Sequence, residues 1–386
     1  MLLKLLHVLF VAICFVAGFG YCFHRFNKIV QHRTLAFSIA KWMSLAMSLL
    51  VVLVLFLRLL NLNRYFLPFQ LIAYLWMIFV FYLFAIIIFV DVALFLLSFF
   101  KSLKKRINCR IPKIRHIVFF AAIFVSISIV TYGIFHFAKP EVKYLTIETQ
   151  KIAPSCKMVV VSDLHLGTMS VDLFKKNVKK INALHPDVVL LLGDQFVVNR
   201  QDAVSMGYAD VFKQINAPLG VFAINGNHEY FHGYLNKEDV GLSDFYRNIG
   251  ITMLQDTTLT IENQFVLVGR LDSSRISSRK SLPQLMQDVP TDIPIVLMDH
   301  EPNGLNVSKS CGVDLHLSGH THHGQIFPMN WVQDIKSLLS GKLKYGYRKD
   351  GQTQYFVTAG LGGSGAPLRI GTTGEILVVQ WKQKAQ

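Results

Sequence analysis

The sequence predicts an N-terminal multi-span α-helical membrane anchor followed by an α/β domain, and three observations carry that reading. Four apolar stretches crowd the first 138 residues. Beyond residue 139 the texture changes to short β-branched runs alternating with amphipathic helices. Charge is also divided unevenly: residues 1–140 hold 15 Lys and Arg against one acid, Asp91, whereas residues 141–386 hold 24 against 23. The formal net charge of +15 therefore flanks the apolar stretches, as loop charges flank membrane spans. The remainder is nearly neutral and carries no basic patch, so nucleic acid is not an expected partner. The expected domains are a membrane domain, 1–138, and a second domain, 139–386.

The apolar stretches cover residues 5–23, 38–60, 66–90 (with an extension to 100) and 117–137. Each is close to or above the ~20 residues that cross a ~30 Å hydrocarbon layer. The first is read as a retained span rather than a cleaved leader, because no small-x-small cleavage site follows it. Arg25, Lys28, Arg33 and Lys41 fill the first loop, and Lys101, Lys104, Lys105, Arg106, Arg110, Lys113 and Arg115 fill the third. The second holds only Arg64. The positive-inside rule then puts loops one and three in the cytoplasm and everything after Phe137 outside the cell (inner) membrane. Asp91 is read as lying where the third helix reaches the headgroups. Cys156 and Cys311 are read as buried free thiols, since no CxxC pair or metal spacing is present.

In the second domain, residues 157–161 read as a buried strand leading into Ser162-Asp163-Leu164-His165. Apolar residues at Val171, Phe174, Val178, Ile181 and Leu184 have helical spacing. Residues 188–192 form the next strand, ending in Gly193-Asp194. A helix over 203–215 leads to a strand over 220–224, which ends in Gly226-Asn227-His228. Residues 257–261 and 265–268 pair as a hairpin. Strands over 293–298 and 313–317 run into Asp299-His300 and Gly319-His320-Thr321-His322, and residues 355–358 and 375–380 supply late strands. No internal repeat is visible.

Five β-branched runs thus end in loops bearing Asp, Asn or His, and in open α/β sheets sites collect beyond the carboxyl ends of strands. The loops offer Asp163, Asp194, Asn227, His165, His228, His300, His320 and His322, with no thiolate. These nitrogen and oxygen donors suit Mn, Zn, Fe, Ni or Co. Eight exceed one tetrahedral site but suit two metals that share a carboxylate and clamp a phosphoryl group.

Asp163-x-His165, Gly193-Asp194, Gly226-Asn227-His228-Glu229, His300 and Gly319-His320-x-His322 stand in the order and spacing of calcineurin-like metallophosphoesterases, which the chain resembles over about residues 155–382. The longer stretches SDLHLG, GNHEY, SGHTHHGQIFP and YFVTAGLGGSGAPLRIG are similar to the membrane-anchored branch of that superfamily. The resemblance implies a four-layer αββα sandwich and two divalent metal ions, with Mn favoured in vitro. It implies that Asp163, His165 and His322 hold the first ion, that Asn227, His300 and His320 hold the second, and that Asp194 bridges them. It further implies a metal-bridging hydroxide as nucleophile and His228 as the proton donor to the leaving oxygen. The expected function is a membrane-anchored phosphohydrolase, a phosphodiesterase or pyrophosphatase acting on a lipid-linked or envelope phosphate ester. The alternatives are a phosphoprotein or nucleotide phosphatase on the same fold, and a noncatalytic membrane scaffold with a vestigial metal site.

Other residues weigh differently. His185, His232 and His316 read as ordinary surface or core histidines. Gln195 and His323 depart from the family pattern and are candidates for substrate contact, with rim and surface roles open for His323. Arg369 is open between a phosphate contact and a structural pair, the latter favoured. Glu229 reads as a residue orienting His228 or a ligand. The run 329–343 reads as a helix packed on the domain, with a lipid-facing patch as the alternative.

Overall fold

The computed structural model describes residues 2–29, 34–59, 67–151, 156–198, 200–231, 240–273 and 278–383. It divides into two compact units, Met1–Gly133 and Ile134–Gln386.

The first unit is built from four helices: α1 (Leu2–Ile29), α2 (Leu35–Leu59), α3 (Leu67–Leu97) and α4 (Lys101–Phe137), whose last turn belongs to the second unit. All four contain segments long and apolar enough to cross a membrane. Val8, Phe15, Val51, Val54, Ala73 and Val80 pack α1, α2 and α3 together. Trp76 Nε1 donates to Ser48 Oγ at 3.0 Å between α3 and α2. Phe10, Ile13, Leu49, Phe89 and Phe124 point outward, as side chains facing lipid do. Asp91 on α3 pairs with Arg25 on α1 and accepts from Tyr21 Oη. Asp91 thus has partners on α1.

The second unit opens with β1 (Glu141–Thr149), β2 (Met158–Val161), α5 (Val171–Asn182) and β3 (Val188–Leu192). Ser170 caps α5 by accepting from Leu173 N. The expected helix over 203–215 is two short ones, α6 (Arg200–Ser205) and α7 (Tyr208–Phe212). Gly207 separates them at φ +85°, a left-handed value that no helix continues through. There follow β4 (Val221–Ile224), α8 (Asn227–Phe231), α9 (Val240–Asn248), β5 (Ile251–Met253), β6 (Thr257–Ile261) and β7 (Phe265–Gly269). The chain continues through α10 (Leu282–Leu285), β8 (Ile295–Met298), α11 (Leu305–Ser310) and β9 (Leu315–Ser318). It ends with α12 (Met329–Ser340), β10 (Gly346–Asp350), β11 (Thr353–Val357) and β12 (Glu375–Gln383).

One sheet has the order β1-β12-β2-β3-β4-β5, the other β10-β11-β9-β8-β7-β6. Strands β2 to β5 are parallel, as are β7, β8, β9 and β11. Leu190, Leu192 and Ile224 share one buried cluster with Leu267, Met298 and Leu317, so the sheets pack face to face. The outer face of the second sheet packs Val266, Val268 and Leu297 on Leu282 and Leu285 of α10. Against the first sheet, Phe174 of α5 and Phe212 of α7 meet edge to face at 4.8 Å, and Phe196 lies 5.8 Å from Phe245 of α9. The result is helix, sheet, sheet, helix. Burial of both faces explains why β2, β3 and β8 read as unbroken apolar runs.

Candidate metal centre

Strands β2, β3 and β4 lie side by side in one sheet and β8 and β9 in the other, so the loops after their last residues meet at one edge of the sandwich. The turns are tight. Asp163 (φ 54°), His165 (45°), Asp194 (54°), His320 (70°) and His322 (52°) are all left-handed. Each such conformation costs on the order of 1–3 kcal/mol for a non-glycine residue, and its clustering marks a functional site. Gly193 has the positive φ expected of a strand-end glycine, +90°. Gly226 and Gly319 are glycines for a different reason, close approach. A Cβ on Gly226 would lie 2.2 Å from Asp194 Oδ1, and one on Gly319 would lie 2.4 Å from Asp163 Oδ2.

Seven of the eight motif residues fall into three groups whose donor atoms lie within 4.8 Å of one another: Asp163, His165, His322; His165, Asp194, His228; and Asp194, His300, His320. Asn227 joins the last, with Oδ1 2.8 Å from His320 Nδ1. Asp194 belongs to two groups: Oδ2 lies 3.7 Å from His165 Nε2 and 3.3 Å from His300 Nε2. Its Oδ1 accepts from the His228 amide at 2.8 Å.

These residues fit a metal. His165 Nε2 and His322 Nε2 face each other at 3.1 Å, buried, while neither Nδ1 has a hydrogen-bond partner among the described residues. Two imidazoles held this way beside a carboxylate are arranged around a cation rather than around each other, at a separation expected of ligands with metal–nitrogen bonds of about 2.0–2.1 Å. Burial pushes His165 and His322 down to about 4, so both rings are neutral at pH 7 with lone pairs to offer. Burial alone would raise Asp163 and Asp194. The neighbouring histidines together outweigh it, His322 foremost at Asp163 and His300 foremost at Asp194, and hold both below the usual carboxylate range. Burial also works against charge on His300, yet Asp194 and then Asp163 raise it well above its ordinary value. The negative field thus draws positive charge to the point where His300 and Asp194 meet.

A supporting layer fixes these groups. His300 Nδ1 donates to the Leu192 carbonyl at 2.6 Å, leaving Nε2 to face the site. Glu229, fully buried, accepts from the amides of Gly226 (2.7 Å), Asp194 (3.0 Å), Gln195 (2.6 Å) and Phe196 (3.2 Å). It therefore orients the Asp194 loop through backbone, not His228 through its ring. Burial first, and the Asp194 charge second, push its carboxyl up to about 8. The four amides oppose that shift, and with both oxygens accepting there is no lone pair left facing outward for a proton.

Arg369, also fully buried, donates to the carbonyls of Ala359, Gly360, Gly362 and His322. Its guanidinium staples the loop behind Asp163 and touches no substrate space. Gln195 is likewise behind the site, donating to Ile224 O and accepting from Tyr246 Oη. His323 stacks on Tyr345 at 3.8 Å and pairs with Asp334 at 3.1 Å. His316 is buried between Ser308 and Ser318, His185 is exposed, and His232 lies outside the described residues. Cys156 and Cys311 are free thiols. Sequence reasoning missed Glu301, whose Oε1 lies 3.9 Å from His320 Nε2. It also missed Arg279, which donates to both oxygens of Asp299 beside His300. Adjacency to His300 was the available signal for Glu301; Arg279 lies 20 positions before Asp299 and had no such signal.

Residues 156–324 match the family model for calcineurin-like phosphoesterases. An uncharacterized metallophosphoesterase of Aquifex aeolicus is 30% identical over 259 residues, which cover 63% of this chain and 92% of that protein. One from Campylobacter jejuni is 30% identical over 246 residues, 64% of each chain. A zebrafish transmembrane protein with metallophosphoesterase domain is 28% identical over 281 residues, 68% of this chain and 62% of that one. The chain belongs to the calcineurin-like phosphoesterase family, whose members use divalent metals, and it is a membrane protein. It spans just under two thirds of the Campylobacter and zebrafish proteins.

Proposed function

We propose that the chain is a dinuclear-metal phosphohydrolase, a phosphodiesterase or pyrophosphatase, whose substrate is a lipid-linked or envelope phosphate ester met outside the cytoplasm. One observation carries this: Asp194 is shared between the His165–His228 group and the His300–His320 group, as a bridging carboxylate would be. When bound, two divalent ions supply Lewis acidity toward the phosphoryl oxygens and activate water as nucleophile. Asp163, His165 and His322 would hold one ion, and Asn227, His300 and His320 would hold the other. Asp194 would be shared by both: its Oδ2 lies between His165 and His300, while its Oδ1 pins the His228 backbone. That bond keeps His228 on the rim, its ring edge-on to His165 at 4.6 Å, where an imidazolium can pass a proton to the leaving oxygen. The site of a retired enzyme drifts; here every donor type remains in place. Tethering to a bilayer concentrates the domain near lipid-linked phosphates.

The test is hydrolysis of bis-p-nitrophenyl phosphate by the full chain with Mn²⁺. His228→Ala should lower kcat about 10²–10⁴-fold, and Asp194→Asn at least as much. Undiminished turnover in either variant, or in wild type with chelator, contradicts the mechanism.

A further inference from the structure

Helix α12 begins five residues after the His322–Gly324 turn and wears its amphipathic character inside out. Three of its polar side chains bond to the domain. Asn330 Nδ2 donates to Gly371 O (3.2 Å), Gln333 Nε2 to Thr321 O (3.0 Å), and Asp334 holds His323 (3.1 Å). Its apolar side chains face away: Trp331 is 60% exposed, Ile335 56%, Leu338 83% and Leu339 81%, with Met329 and Val332 beside them. A helix resting on a water-soluble domain does the opposite. A contiguous exposed patch of this kind marks an interaction surface.

The occupant is indicated by the chain's own path. The segment of α4 suited to span a membrane runs to Phe137, and only residues 138–140 separate it from β1. Phe137 is buried, with its ring 3.1 Å from where a Cβ on Gly363 would sit, and His136 Nε2 lies 3.1 Å from Thr373 Oγ1. The same loop holds the start of α12: Gly371 accepts from Asn330, and Thr372 Oγ1 donates to Gln325 O at 2.9 Å. The last turn of α4 therefore rests on the same loop as the first turn of α12. Lys336 and Lys342 are exposed along the helix and at its end, suited to anionic headgroups as apolar side chains are to acyl chains.

We infer that α12 is an interfacial helix that lies in the headgroup layer of the membrane carrying the spans. It would hold the mouth of the metal centre at the level of lipid phosphates. This last consequence rests on the phosphohydrolase reading; the docking itself does not.

The experiment uses the full chain in nanodiscs of phosphatidylcholine and phosphatidylglycerol, with Trp331→Phe subtracted from wild type to isolate one indole. The expected result is blue-shifted Trp331 emission, most of it lost to acyl chains brominated near the headgroup. Leu338→Glu with Leu339→Glu, both at exposed positions, should return that emission to a water-exposed, unquenched form. The same double variant should hydrolyse a soluble diester in detergent like wild type, but lose turnover on a lipid-embedded diester. A water-exposed, unquenched indole in the wild type overturns the inference. An indole shielded from water yet unquenched by brominated lipid also overturns it, in favour of a second copy or another protein. If wild type hydrolyses neither diester, the hydrolase reading fails while the quenching still decides the docking.

Discussion

At Glu229 a single carboxylate accepts from four backbone amides drawn from two loops, and through them fixes the turn that carries Asp194. Glu229→Gln keeps the shape but turns one acceptor oxygen into a donor facing N–H groups. It should cost about 1–3 kcal/mol and weaken metal affinity about 10–100-fold, as losses of ligand-orienting partners do. Thermal unfolding and competition with a chelator read both, and unchanged values would contradict the role. The identities of Asp163, His165, Asp194, Asn227, His228, His300, His320 and His322 were legible because each follows a strand, and strand ends converge. What each supporting residue does was less legible. Glu229 acts on amides 33 to 35 positions away, and Arg369 on carbonyls that only tertiary folding assembles. At Gly226 and Gly319 the need for glycine comes from the nearness of Asp194 and Asp163, which only the fold creates.

Among elements, the interior strands were readable, and of the four edge strands only β6 was. β1, β5 and β10 escaped the sequence reading, and each is the outermost strand of a sheet. β1 alternates polar and apolar residues, β5 has three residues, and β10 carries Arg348, Lys349 and Asp350. Short or charged edges are how sheets avoid pairing with other chains, and the same devices erase the apolar run that marks a strand. In the membrane unit, helix existence was plain from hydropathy, while the link between α1 and α3 was not. Asp91 and Arg25 are 66 positions apart. Removing either partner leaves a polar group inside the bundle and should destabilise it on the order of 1–3 kcal/mol, whereas Arg25→Met with Asp91→Leu should restore much of the loss. Unfolding of the full chain in mixed detergent tests this. Equal stability for the two single variants and wild type would mean the pair contributes nothing.

For the whole molecule, the uneven charge first suggested a membrane anchor and now sets an expected topology. With +14 in residues 1–140 concentrated in loops one and three, the positive-inside rule would put the metal centre outside the cytoplasm. A reporter fused after Gln386 should be active only on the outer side; activity in the cytoplasm would reverse the orientation and with it the choice of lipid-linked substrates. Hydropathy alone divides the sequence near residue 138, and the contacts of the fold divide it after Gly133. The facing of two sheets was not legible, since it depends on which side of each doubly buried strand meets the other sheet, and a run without alternation does not say. The central claim is that Asp194 joins two metal ions into one hydrolytic site. It is tested most directly by titrating Mn²⁺ into the metal-depleted full chain while counting bound ions and following diester turnover. Two ions per chain are expected, with turnover appearing as the second binds and the pairing lost in Asp194→Asn; full turnover with no ion, or with one, would contradict it.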